Sequence, residues 1–284
     1  MRFLLVLLLA TSCATEKTPA ETAPSVPQRI ISIVPAATEM LFAFGIADRV
    51  IAVSDFDQVA PEYGVKPRIG GLLNPNIEKI IEYRPDLVIT YGTQESLEER
   101  LGSLGIRMHP FTTGNVEQTL AYMMDLGRLV GREEQAAEIV QRIRNAFAEV
   151  RAQPAKGSPE GPNVLLVHNR AAGTLGGFYS VGARAFQHEL IEMAGGKNLF
   201  SDVDKEIVQP SLEEIITRRP DVIIETLPSG AGAAEIQQRI ADWKRIAKLP
   251  AVEKGRIYVV SEDYMLVPGP RLDLAAKKFG EILQ

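Results

Sequence analysis

The chain has 284 residues, 45% hydrophobic and 24% charged, the composition of one or two soluble globular domains. Its formal net charge is −5 and no Lys/Arg patch is concentrated enough to track phosphates, which argues against nucleic acid as a partner. A single cysteine excludes an internal disulfide.

Met1-Arg2 and the apolar run from Phe3 to Ala10 are too short to span a bilayer and read as a secretory leader. The run ends in Ala10-Thr11-Ser12-Cys13, which resembles a bacterial lipobox, so residues 1–13 are expected to be a lipoprotein signal and Cys13 the lipidated residue. Residues 14–28 are rich in Pro, Thr, Glu and Ala and read as a flexible tether to the membrane.

Residues 29–114 alternate strands and helices, the pattern of an α/β lobe. Strand Ile30–Val34 stops at Pro35, and a helix capped by Thr38 carries Met40, Leu41, Phe42 and Phe44 to Gly45. Strand Val50–Val53 leads into the loop Ser54–Asp57, and a Pro/Gly-rich stretch runs to Asn74. A helix over Leu97–Leu104 and a strand over Gly105–Met108 complete the lobe. In residues 115–153, Val116, Leu120, Met123 and Met124 form one helical stripe, and Ile139, Ile143, Phe147 and Val150 another. They predict one long helix, or two in tandem, spanning both lobes, with Gly131 as a break or bend; the alternative is an ordinary surface helix of one lobe. Residues 154–284 read as the second lobe, with strands Asn163–His168 and Ile257–Val260 and helices Ala183–Ala194, Ile236–Ile246 and Leu272–Leu283.

One unit occurs in both lobes. Residues 74–91 (NPNIEKIIEYRPDLVITY) and 209–226 (QPSLEEIITRRPDVIIET) each give a polar cap, a short helix, an Arg-Pro stop and a β-branched run. That run is the mark of a parallel strand covered on both faces.

The order IISIVPAATEMLFAFG, VIAVSDFD, NPNIEKIIEYRPDLVI, a long helix, AFQHELIEMAGGKNLF and QPSLEEIITRRPDVII resembles the periplasmic binding proteins that feed ABC importers of vitamin B12, haem and iron–siderophores. The resemblance implies a class III periplasmic-binding-protein fold: two Rossmann-like lobes with parallel sheets on one long rigid interlobe helix. It also implies a large chelate held in the cleft, a periplasmic or extracytoplasmic monomer, and an ABC permease dimer as partner. No cofactor is expected, the ligand being cargo. A corrinoid is the expected ligand, with haem or a ferric siderophore as the alternative within transport.

Glu78 and Glu213 occupy equivalent places early in the two repeat helices. By the resemblance they dock onto arginines of the permease; favourable placement at a helix start explains them equally well. Ligand candidates follow the strand ends, where open α/β sheets bind. Pro35-Ala36-Ala37-Thr38 opens a helix whose N–H groups can meet an anionic or amide-rich edge, unless it serves capping alone. Asp55, Phe56 and Tyr91 come from the first lobe, and Asn169, Arg170, Phe178, Tyr179 and Tyr264 from the second. Flat aromatics suit a corrin or porphyrin, and Arg170 suits a propionate or siderophore carboxylate, although each could equally be a packing aromatic or a surface charge. Where B12 binders that resemble this chain often carry Trp before the second repeat, Glu206-Ile207-Val208 stands here, and the sole tryptophan, Trp243, reads as packed in a late helix.

His109, His168 and His188 are too scattered for a metal centre. His168, at a strand end, reads as a structural histidine or an axial haem ligand, and Tyr91 or Tyr179 could ligate haem likewise. No GxGxxG, P-loop or GxSxG motif is present, and Gly173–Gly177 has the spacing of a turn. A secreted α/β enzyme using the same cleft is the competing class.

Overall fold

The computed structural model describes residues 25–92, 94–153 and 161–284. The expected leader, Cys13, most of the tether and residues 154–160 lie outside the described residues.

The first lobe runs β1 (Ile30–Ser32), α1 (Pro35–Ala43), β2 (Val50–Val53), α2 (Ile77–Glu82), β3 (Leu87–Tyr91), α3 (Glu95–Gly102) and β4 (Arg107–Phe111). Its four strands are parallel, in the order β2-β1-β3-β4. Ile30, Ile31, Leu87, Val88 and Ile89 have no exposed surface, as β-branched runs covered on both faces require. β4 continues through Pro110, which a sheet edge tolerates because no ladder N–H is demanded there. α1 starts earlier than expected. Pro35, with its pre-set φ, occupies the first turn, and Thr38 is not a cap: its hydroxyl donates back to the Val34 carbonyl at 3.2 Å.

The stretch between the lobes is two helices, α4 (Val116–Leu129) and α5 (Glu133–Arg151), folded back on each other. Gly131 makes the reversal at φ 68°, a conformation open to glycine. Two contacts mark the antiparallel pairing. A Cβ on Gly127 would lie 2.5 Å from that of Ala136, and Arg144 pairs with Glu117 at 2.7 Å. α4 therefore belongs to the first lobe, and α5 alone is the rod, carrying Ile139, Ile143, Phe147 and Val150 into the core.

The second lobe contains β5 (Asn163–Val167), β6 (Ser180–Val181), α6 (Phe186–Met193), β7 (Lys197–Asn198), β8 (Ile207–Val208), α7 (Leu212–Arg218), β9 (Val222–Thr226), α8 (Ala233–Lys244), α9 (Pro250–Glu253), β10 (Ile257–Val260) and α10 (Leu272–Leu283). Its main sheet is parallel, ordered β10-β9-β5-β7, and β6-β8 is a small antiparallel pair. Strand alternation splits this core. Val164, Leu166, Val222 and Ile224 join the cluster containing α5 and α10, whereas Leu165, Val167 and Ile223 pack with Phe178, Phe200 and Trp243 on the other face.

The repeats superimpose down to single hydrogen bonds. Asn76 Oδ1 accepts from the Lys79 N–H at 3.0 Å, and Ser211 Oγ from the Glu214 N–H at 3.1 Å. Arg84 and Arg219 both end their helices in the left-handed region, at φ 47° and 52°. Asp86 accepts from the backbone N–H of Gln28 and Arg29 at the head of β1, as Asp221 does from Asn163 at the head of β5. Each aspartate thus pins the neighbouring strand, which explains why both copies carry it.

Candidate ligand-binding cleft

The carboxyl ends of the two parallel sheets face one another, and side chains join the lobes at both margins. At one, Arg271 grips Glu39 of α1 in two hydrogen bonds, 2.7 and 3.1 Å, and also pairs with Asp263 at 2.7 Å. Burial raises the Glu39 pKa above the ordinary carboxylate value, against the pull of Arg271. At the other margin Thr113 Oγ1 donates to Glu206 Oε2 at 3.0 Å, and the Val116 N–H donates to Glu189 at 3.0 Å.

Beside the second margin lies a cavity of about 410 Å³, lined chiefly by second-lobe residues with Thr113 from the first. His168, Asn169 and Tyr179 form one wall, and Glu206, Ile207 and Leu266 lie around it. Its volume falls in the usual range for ligand sites. Tyr179, Ile207 and Leu266 are 41%, 60% and 38% exposed, an unusual share of apolar surface left open in one place.

His168 is fixed by its neighbours. The Thr226 hydroxyl lies 2.7 Å from His168 Nδ1 and 3.2 Å from the Val167 carbonyl, and its one proton serves one of the two. Nε2 is buried, with no protein partner among the described residues. Burial pulls the His168 pKa down to about 4, so the ring is neutral at physiological pH.

Two predicted contacts are corrected. Arg170 does not face the cleft: its side chain has no exposed surface and is held by Glu225 at 2.9 Å and Asp242 at 3.0 Å. Phe178 is fully buried, edge-on to Trp243 at 5.9 Å between ring centres. The cause is local. Asn169 takes a left-handed turn at φ 55°, which breaks strand alternation and sends the next side chain into the lobe.

Ala36, Ala37 and Thr38 are also buried, with Pro35 half-buried, and Gly269 of the second lobe lies over the Ala36 carbonyl. That helix start is covered by protein instead of being open to a ligand. Tyr264 is half-buried beneath the Arg271 guanidinium, 5.9 Å from its ring centre. Asp55 and Phe56 are exposed beyond β2, Phe56 by 65%, and Tyr91 is half-buried at the end of β3. Asn169 and Tyr179 do line the cavity.

Glu206 and Leu266 were missed as lining residues. The position of Glu206-Ile207 just before the second repeat, where the related binders carry an aromatic, was the available signal. Nothing in sequence marked Leu266.

Glu78 and Glu213 are exposed in the first turns of α2 and α7, with no ion partner among the described residues. His109 packs on Tyr122 and lies 3.6 Å from Asp125, and His188 is 3.9 Å from Glu192. Among the described residues no three His, Cys, Asp or Glu side chains group as metal ligands, and no helix is long and apolar enough to cross a membrane.

Comparison with known proteins agrees with this architecture. The chain is 27% identical to the vitamin B12-binding protein of Salmonella typhimurium over 252 residues, 88% of each chain. The crystal structure of the periplasmic vitamin B12-binding protein of Vibrio cholerae shares the fold at TM-score 0.73 and 23% identity, covering 90% of this chain and 96% of that one. The periplasmic haem-binding protein of the same organism shares it at TM-score 0.75 and 18% identity, covering 90% and 98%. The model of the periplasmic binding protein family matches residues 30–264, which spans both lobes and the rod between them. The chain therefore belongs to the periplasmic binding protein family, whose members bind and hand over a ligand and are not enzymes.

Proposed function

We propose that this chain is the substrate-binding lipoprotein of an ABC importer: it captures a corrinoid in the interlobe cleft, docks on the permease dimer through Glu78 and Glu213, and is tethered to the membrane by lipid at Cys13. The observation that carries the choice of ligand is the absence of any Arg or Lys from the described cavity lining. The arginine best placed to meet an acid, Arg170, is already consumed inside the lobe. Haem brings two propionates, and desolvating them against a wall without a cation is costly. A corrinoid instead presents a flat apolar ring edged with neutral carboxamides, which suits Tyr179, Ile207 and Leu266. The relatives named for vitamin B12 support the same reading.

Haem remains the second reading, because the Tyr179 phenol in the cavity lining is able to ligate iron. Titration of the purified protein with cyanocobalamin, haemin and a ferric siderophore separates the two. Cyanocobalamin is expected to bind with a Kd of about 1 µM or tighter, and the others at least about a hundredfold more weakly. Binding of haemin alone, with a Soret shift, would replace the corrinoid reading.

A further inference from the structure

We infer that Glu206 is a specificity residue of the cleft: it selects ligands whose edge presents carboxamide N–H groups and rejects those presenting a carboxylate. The inference rests on the corrinoid reading and goes further, naming the ligand group that is read and the side chain that reads it.

The polarity of the cavity wall is dominated by one group. Glu206 is the only residue with a full charge in the described lining. Its Oε2 is taken by Thr113, and Oε1 has no partner among the described residues. Asn169 and Tyr179 can each donate or accept, so they adapt to either ligand edge. The Glu206 carboxylate cannot adapt, because it only accepts. An N–H donor from the ligand satisfies it, whereas a carboxylate meets a like charge in a partly desolvated space.

Thr113 makes the site an interlobe one. It comes from the end of the first lobe and Glu206 from the second, so the same residue clasps the lobes and lines the cavity. A clasp role and a reading role are separable, because removing the Thr113 hydroxyl breaks the first and leaves the charge in place.

The test uses cyanocobalamin and its ring monocarboxylates, in which one peripheral carboxamide is replaced by a carboxylate, separated into isomers. Affinities are measured by equilibrium titration on the wild type, Glu206→Gln and Thr113→Val. For at least one isomer the wild type should bind the acid about tenfold or more weakly than the amide. Glu206→Gln should shrink that ratio to about threefold or less, while Thr113→Val leaves it as in the wild type. An unchanged ratio in Glu206→Gln, with cyanocobalamin still bound, would overturn the specificity role and leave the corrinoid reading standing. Wild-type protein that binds no cobalamin in any form would overturn both.

Discussion

Replacing Glu225 by Ala is expected to destabilise the protein by about 3–5 kcal/mol, enough to unfold the second lobe in moderate urea. Glu225 sits on β9 with no exposed surface and is the hub of a buried ionic cluster. Its carboxylate accepts from Arg170 Nε at 3.1 and 3.0 Å, from Arg170 Nη2 at 2.9 Å, from Arg239 Nη1 at 3.1 Å and from the Trp243 indole N–H at 2.8 Å. Asp242 supplies the second anion, 3.0 Å from Arg170 Nη1, and α8 is thereby fastened to the ends of β5 and β9. Truncation strands a fully buried guanidinium and orphans the indole N–H, and it opens a void. These penalties fall together because water cannot reach the site. Urea denaturation followed by tryptophan fluorescence measures the loss directly, since Trp243 lies in the cluster. A change below about 1 kcal/mol would mean that Asp242 alone compensates both arginines.

Reversing both docking charges, Glu78→Arg with Glu213→Arg, is expected to abolish stimulation of the cognate transporter's ATPase while leaving cyanocobalamin affinity within about twofold. Both side chains are exposed and neither is tied to a local partner among the described residues, so the fold does not depend on them. They occupy equivalent positions in the two repeats, and a two-fold permease offers equivalent sites to each. On the proposed docking each reversal would turn an attractive contact into a like-charge one, and such contacts cost several kcal/mol when desolvated. Single reversals should each lower stimulation by about tenfold. Full stimulation by the double variant would show that the glutamates only favour their helix starts.

Much of the fold was legible because the duplicated unit combines independent signals. Cap, Arg-Pro stop and β-branched run all point to helix then buried strand, and both copies obey. The connection was harder to read. The stripes of α4 and α5 have the same spacing whether the helices run on or fold back. Only the left-handed turn at Gly131 and the close approach of Gly127 to Ala136 decide for a hairpin, and both are tertiary facts. The site was legible by neighbourhood but not by side chain. Position after a strand correctly brought Asn169 and Tyr179 to the cavity. It failed for Arg170, because Asn169 at φ 55° reverses which way the next side chain points, and for Phe178, which packs edge-on to Trp243 inside the lobe. Trp243 was read correctly as packed, while the carboxylate that satisfies its N–H could not be paired with it from sequence.

The structure of the complex with cyanocobalamin tests the central claim most directly. The corrin should lie between the sheet ends, against Tyr179, Ile207 and Leu266 on one side and Phe56 on the other, with both lobes still joined by α5. A corrin bound instead in the cavity of about 550 Å³ beside Phe42, Tyr63 and Arg142, with the cleft empty, would contradict it.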